Sequence, residues 1–488
     1  MKSKFLSFIV LFLFFGNASV DAQIKRINIE LNSLESEAHL RFLTADELRG
    51  RNTGTIELNI VGRYIAEQFR RYGVSPLGDA DDDYLQKVPL YNVSPPATVE
   101  LQIDDKKYTF ISDMAYNKGS VGDYKGSLVY IENLEEIESI DLEGKFLIMV
   151  LRDIRQAMVN QDRVKLIESK GAIGLIEIYG PGQQFPWPAV ANYLSREKMI
   201  VGEMKETKSI PHILITDPSD VLIMKLKENP SDLQAILKID GLMKKEIEAY
   251  NVVGKVEGTD PELKKEHIIM CAHYDHVGIQ EGNGQDSIYN GTRDNGIGTT
   301  GILNAAQYFG QHPPKRSIIL IALTGEEKGL LGSQYYTTDP KIPLEETVFA
   351  FNIDNSGYTN TEVITLLDTA RTNIDALVYQ AADEVGLGVI GDRIPAQNYY
   401  ERSDQVSFAI KGVPAVNFKM SMEAFDERIS KYYHQPNDEF DTVDLEYIHK
   451  YWKAYIRSAE LIGNWDQRPY WIEGDKFEEA GNKLYKMD

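Results

Sequence analysis

Three apolar runs, at 267–272, 317–323 and 347–353, punctuate the second half of the chain and alternate with helical stretches such as GTTGILNAAQYFG. A run that is apolar at every position leaves no face for water, so each reads as a strand buried on both sides. Strands that alternate with helices build a sheet covered on both faces, an α/β architecture. The pattern starts near NVVGKVEG and closes with a long helix from about Asp444 to Ile462. Upstream, LESEAHLRFLTADELRGRNTGTIELNIVGRYIAEQFRRYGV has helical periodicity in its outer parts around a hinge at Gly50 and Gly54. From about Pro95 the character changes. VELQI, GSLVYI, KFLIMVL, GAIGLIEIY and HILITD read as short strands, interrupted by one helical stretch, RVKLIESKG. The chain therefore divides into a leader (1–22), a first part of the sheet domain (23–95), a small β-rich insert (96–248) and the rest of the sheet domain (249–488).

The leader has a basic start at Lys2 and Lys4, an apolar stretch from Phe5 to Phe15, and small residues Val20 and Ala22 before Gln23. That is the pattern of a cleavable secretory signal, and the stretch is short of the roughly 20 residues a membrane span needs. The expectation is a periplasmic or secreted protein with no membrane anchor. No cysteine lies near the cut, which argues against a lipid anchor. The only cysteine is Cys271, inside the apolar run HIIMCA. It reads as a small buried hydrophobe rather than a nucleophile, and a core of this size needs no disulfide. A net charge of -22 would repel nucleic acid and anionic membranes.

In an open α/β sheet, ligands bind outside the carboxyl ends of the strands, so the polar residues there carry the functional information. The first run ends in CAHYDHVG, with His273 and Asp275; Asp294 stands just before the helix that begins near Ile297. The second runs into Glu326 and Glu327, the third into Asp354, and His434 lies in a loop before the last helix. Taken singly, an aspartate before a helix is a cap and paired glutamates are solvated. Together, two imidazoles and several carboxylates at one sheet edge require cations, and this mix of nitrogen and oxygen ligands suits zinc. Asp294, Glu327 and Asp354 carry three negative charges, and a shared hydroxide would add a fourth, which balances two divalent ions. Glu326, beside one ligand, would then be the general base for the attacking water. Asp275, two residues past His273, would fix that imidazole's tautomer.

AHYDHVG, RDNGIGTTGILNAAQYF, ALTGEEKGLLGSQYY, FNIDNSG, RSDQVSFAIKGVPAV and YHQPNDEFDTVD resemble, in order, the motifs of the dizinc exopeptidases typified by secreted bacterial aminopeptidases and aminopeptidase Y. Glutamate carboxypeptidase and the transferrin receptor are relatives in that family. The resemblance implies a three-layer zinc-exopeptidase fold, a phosphorylase/hydrolase-like mixed sheet with helices on both faces. It implies two zinc ions per chain, one on His273 and Asp354, the other on Glu327 and His434, with Asp294 bridging and Glu326 as base and acid. Tyr433 matches a tyrosine that polarises the scissile carbonyl, and the Asp294–Asn295 peptide is implied to be cis. The β-rich insert resembles a protease-associated domain, through DLEGKFLIMVLRD and ESKGAIGLIEIYG. Gln405 departs from the family's histidine after RSD, which bears on pocket specificity.

The resulting expectation is a peptidase acting on peptides, most simply an aminopeptidase whose substrate amine sits near Asp354 and Glu326. The alternative is a carboxypeptidase or dipeptidase using Arg402, with Arg393 and Lys411 nearby, to grip a terminal carboxylate. A receptor-like homologue without metals is disfavoured by the complete ligand set, and so is a one-zinc glutaminyl cyclase. Serine hydrolases and thermolysin-like enzymes are disfavoured by the lack of a G-x-S-x-G elbow and of H-E-x-x-H.

Overall fold

The structure, a computed structural model, describes residues 31–486 except 152–160, 181, 184, 203–208, 229–232, 242, 281–285 and 368. The export signal expected at 1–22 lies outside the described residues. No described helix is long and apolar enough to cross a membrane. The chain forms two compact units: one takes the described residues up to Leu90 together with Ile247–Asp488, the other is Tyr91–Glu246.

The larger unit begins with α1 (Ser33–Leu43) and α2 (Ile56–Arg71). Leu58, Val61, Ile65 and Phe69 recur at helical spacing and form the buried stripe of α2, and the Thr55 hydroxyl caps its first turn by accepting from Leu58 N. Between the helices, Gly50 adopts φ +68°, and a Cβ there would meet Gly278 O at 2.5 Å and Tyr289 O at 2.6 Å. The expected hinge is therefore a fixed crossing point, where only glycine lets two backbones touch.

The sheet strands are β1 (Tyr250–Val256), β2 (His267–His273), β3 (Ser317–Leu323), β4 (Thr347–Asn352), β5 (Val363–Leu366), β6 (Gly388–Ile390) and β7 (Ala415–Met420). Their spatial order is β1-β3-β2-β4-β7-β5-β6, with Ser75–Pro76 and Leu85–Lys87 pairing on β1 at the edge. The central strands β3, β2, β4 and β7 run parallel, β1 runs antiparallel to β3 and β5 antiparallel to β7, and β6 runs parallel to β5, so the sheet is mixed. Alternate residues of one strand feed different cores. Ile268 and Met270 pack with α1, α2, α3 (Ile297–Gln311) and α7 (Leu445–Asn464). Ile269 and Cys271 face the opposite core, built by α4 (Leu331–Tyr336) and α6 (Gln405–Ile410). A further helix, α5 (Asp375–Glu384), joins α7 through Val378 and Ala382 in the first core. The expected mixed sheet with helices on both faces is thus present, and Cys271 is buried as read.

The helix α3 departs from the usual amphipathic pattern: Ile297 to Phe309 is buried all round. Its small residues make this workable. A Cβ at Gly298 would stand 2.6 Å from Ile353 O, so glycine lets the start of α3 lie against the end of β4. That approach brings Asp294 beside Asp354.

In the smaller unit, an eight-stranded mixed sheet runs from Lys106–Tyr108 through Thr98–Ile103, Gln234–Asp240, Gly122–Ile131, Phe146–Val150, Gly174–Tyr179 and His212–Thr216 to Met114–Lys118. The five strands read from sequence are present. The sequence reading passed over Gln234–Asp240, although Ala235, Leu237 and Ile239 alternate inward there at strand period.

Candidate metal centre and active site

His273, Glu326, Glu327 and Asp354 leave from a strand end or the first turn after it. Where β2 stops at His273, the chain turns through Asp275 and His276; where β3 stops, Gly325 at φ +69° reverses it into a short turn bearing Glu326 and Glu327. Asp354 follows β4, and Asp294 precedes α3, joined to Asn295 by a cis peptide. His434, at φ +52°, arrives from the distant loop before α7.

These groups converge. His273 Nε2 lies 3.3 Å from Asp294 Oδ1 and 3.4 Å from Asp354 Oδ1. His434 Nε2 lies 3.1 Å from both Asp294 Oδ2 and Glu327 Oε1. The two oxygens of Asp294 thus face two different histidines. Ligand-type atoms fall into two groups, His276, Asp294, Glu327 and His434 in one, His273, Glu326 and Asp354 in the other, each within 4.8 Å of one another.

Two features modify the sequence reading. His276, present in CAHYDHVG but given no role, places Nδ1 2.8 Å from Glu327 Oε1, the oxygen that His434 also approaches. The signal was the second histidine of that stretch. Asp275, expected to fix the His273 tautomer, stands beside that imidazole: its carbonyl oxygen is 3.2 Å and its carboxylate Oδ1 3.8 Å from His273 Nδ1. The carboxylate also accepts from Thr53 Oγ1, Glu326 N and Glu327 N. Asp275 therefore fastens the turn that carries the glutamate pair. Sequence reading also passed over Asp438, whose Oδ2 accepts from the backbone N–H groups of Arg293 and Asp294, and which pairs with the Arg293 guanidinium at 2.8 Å.

Charge is concentrated and buried. Burial alone would push Glu327 up, yet His276 and His434 pull it down to about 2. Burial lowers the His434 imidazole's hold on a proton, but Asp294 and Glu327 outweigh it and raise it to about 10. Burial lifts Glu326 well above the ordinary carboxyl range, against His273 and with Asp354, Glu327 and Asp404. Carboxylates this close and largely shielded from water need positive charge beside them, so the donor set fits divalent cations.

Beside Glu326 and Asp354 opens a small cavity of about 30 Å³, also lined by Tyr399, Arg402, Lys419 and Tyr433. The Tyr433 ring stacks on His434 at 4.2 Å, and its hydroxyl is 3.5 Å from Arg402 Nη2. Arg393 and Lys411 are not among the lining residues. Gln405, read as bearing on the pocket, is fully buried and does not line the cavity. It accepts from Asn352 Nδ2 at 2.9 Å and donates to Tyr400 O at 2.7 Å, tying β4 to the turn before α6.

Residues 251–458 match the sequence model of Peptidase family M28. The Vacuolar membrane protease of Saccharomyces cerevisiae (strain YJM789) is 28% identical over 155 residues, 32% of this chain and 14% of that protein. Aminopeptidase YwaD of Bacillus subtilis (strain 168) is 27% identical over 189 residues, 37% of each chain. The chain thus spans well under two thirds of the length of both relatives. Among solved structures, an aminopeptidase from Aneurinibacillus sp. strain AM-1 superposes with a TM-score of 0.58 at 19% identity, over 90% of this chain and 96% of that one, a likeness of fold. The matched segment runs from β1 through the strand ends that converge on Asp294 and on into α7, so it is over this part of the chain that the protein is similar to Peptidase family M28.

Proposed function

We propose that the protein is a zinc exopeptidase with two metal positions, releasing N-terminal residues from peptides. The observation that carries this reading is Asp294: its two carboxylate oxygens face His273 and His434 separately, at 3.3 and 3.1 Å. A carboxylate so placed suits a bridge between two cations. His273 and Asp354 would hold one zinc, Glu327 and His434 the other, with His276 steadying Glu327. Zinc bound there supplies Lewis acidity and makes water nucleophilic near neutral pH.

The remaining chemistry belongs to side chains. Glu326, buried and with a raised proton affinity, takes the proton of the attacking water at a carboxylate oxygen and returns it to the departing amine nitrogen. Asp275 holds the backbone of Glu326 and Glu327 so that the two carboxylates keep their separate duties. Tyr433, whose ring is stacked on His434, is poised to donate its hydroxyl to the scissile carbonyl oxygen. Glu326, the acidic residue of the cavity lining that is not given to zinc, is the acceptor offered to a substrate's free amine. We further propose export through residues 1–22 and a protease-associated role for Tyr91–Glu246, supported by the leader's composition and the sequence resemblance of the insert.

A zinc-loaded sample assayed on a dipeptide amide, its N-acetylated form and the free dipeptide tests the direction of cleavage. The reading requires acetylation to abolish turnover, whereas the amide, at whatever rate, is still cleaved. An acetylated substrate cleaved at the unmodified rate, with the amide resistant, would replace it by the carboxypeptidase alternative.

A further inference from the structure

Lys419, on β7, is 2% exposed, and its Nζ donates to the Asp354 carbonyl oxygen at 3.0 Å. An ammonium has three N–H donors. Among the described residues no carboxylate lies within ion-pair distance of Lys419, and that carbonyl is its one hydrogen-bond acceptor. Arg402 is in a similar position: among the described residues its guanidinium has the Tyr433 hydroxyl at 3.5 Å and no carboxylate partner. Both cations flank the same ring, Arg402 at 5.2 Å and Lys419 at 5.7 Å from the Tyr399 centroid, and both line the cavity beside Glu326.

The neighbouring carboxylates do not answer this surplus. Asp294 and Asp354 are the groups that the proposed function commits to zinc, so with metals bound their charge is already matched. The rest of the lining supplies polar groups from Ser356, Ser403 and Asn417, and no aliphatic side chain. An apolar substrate side chain would strip water from these donors and return nothing. A cavity of about 30 Å³ is a few times the smallest space that holds a water, room for a small polar group and not for a large ring.

We propose that Lys419 and Arg402 form a carboxylate subsite next to Glu326, so that the peptidase selects substrates bearing a carboxylate close to the scissile bond. The inference rests on the proposed function and adds its substrate class. The carboxylate has two sources, the side chain of an acidic N-terminal residue or the free terminus of a dipeptide.

Two isosteric pairs separate these sources in the zinc-loaded protein: glutamyl against glutaminyl anilide, and leucyl-glycine against leucyl-glycinamide. The charged member of one pair should have the higher kcat/KM by about tenfold or more, the scale of one charge-assisted hydrogen bond. Arg402→Gln and Lys419→Met should each shrink that ratio, mainly through KM. Arg402 is exposed, so Arg402→Gln reports even where Lys419→Met disturbs folding. Calorimetry of glutamate against glutamine, and of leucyl-glycine against leucyl-glycinamide, gives the same comparison without turnover. Ratios near one in both pairs, by rate and by calorimetry, or ratios that survive in Arg402→Gln, would overturn the subsite. Calorimetric preference for the charged member with no hydrolysis would uphold the subsite while the proposed activity fails.

Discussion

Glu326 and Glu327 are adjacent in sequence and held in one turn, yet their surroundings push them apart. Burial and neighbouring carboxylates favour the protonated form of Glu326, whereas two imidazoles keep Glu327 ionised. A pair split this way is suited to one acid-base role and one ligand role. Glu326→Gln should therefore retain zinc and lose about a thousandfold or more in kcat, read by metal analysis and kinetics on the same sample. Zinc lost from Glu326→Gln and kept by an active Glu327→Gln would reverse the assignment. His276→Ala should weaken zinc binding by about 10- to 100-fold in chelator competition, because Glu327 loses the partner that orients it. An unchanged affinity would leave His276 as packing alone. His276 shows where sequence reading stops. His273 closes a strand, where inward and outward positions alternate, but His276 lies beyond it, and no periodicity tells which way a loop side chain points. Lys419 was hidden for the opposite reason: it sits inside a strand that reads as ordinary core.

At the scale of elements, the loops at the strand ends are fastened by backbone contacts. Arg51, fully buried, donates to the carbonyl oxygens of Leu43, Tyr274, Asn290 and Gly291. Next to it Gly50 touches the Gly278 and Tyr289 backbones. Gly50→Ala should cost about 2 kcal/mol or more in denaturant unfolding, through the strained φ and the steric overlap together. A change within experimental error would mean that the crossing opens freely, as the sequence's hinge reading had it. In the smaller unit, Glu177 on the strand Gly174–Tyr179 is buried against Arg163 Nη2 at 2.6 Å and His212 Nε2 at 2.7 Å. Burial raises its proton affinity, but His212 and Arg163 prevail and hold it below the ordinary glutamate value. A lowered folded value means that its stabilisation is complete above the unfolded pKa of about 4.3 and is lost as pH falls through the lower folded one. Glu177→Gln should flatten the stability profile in that window, measured by urea unfolding at stepped pH; an unaltered slope would contradict the pairing. The strands β2, β3 and β4 were legible because each is apolar almost throughout, whereas β7 carries Asn417 and Lys419. Gln234–Asp240 escaped because its outward lysine and glutamine make it read as surface, although the alternation was there.

For the whole molecule, the strongest constraint is the concentration of buried charge at one edge of one sheet. The sequence placed His273, Glu326, Glu327 and Asp354 at strand ends, Asp294 before a helix and His434 in a loop, which was enough to suggest a metal site, because residues far apart in the chain meet at the strand ends of a doubly wound fold. It could not show that Asp294 faces two histidines at once, since that depends on how closely the start of α3 approaches β4. Since metal binds the folded site and not the unfolded chain, removing it with a chelator should lower the melting temperature, and zinc should restore it. The most direct measurement is zinc content per chain after chelation, reconstitution and removal of free metal. The account requires two zinc ions per wild-type chain, with Asp294→Ala falling below two. One ion or none in the wild type, or two retained by Asp294→Ala, would contradict a centre built around that bridging carboxylate.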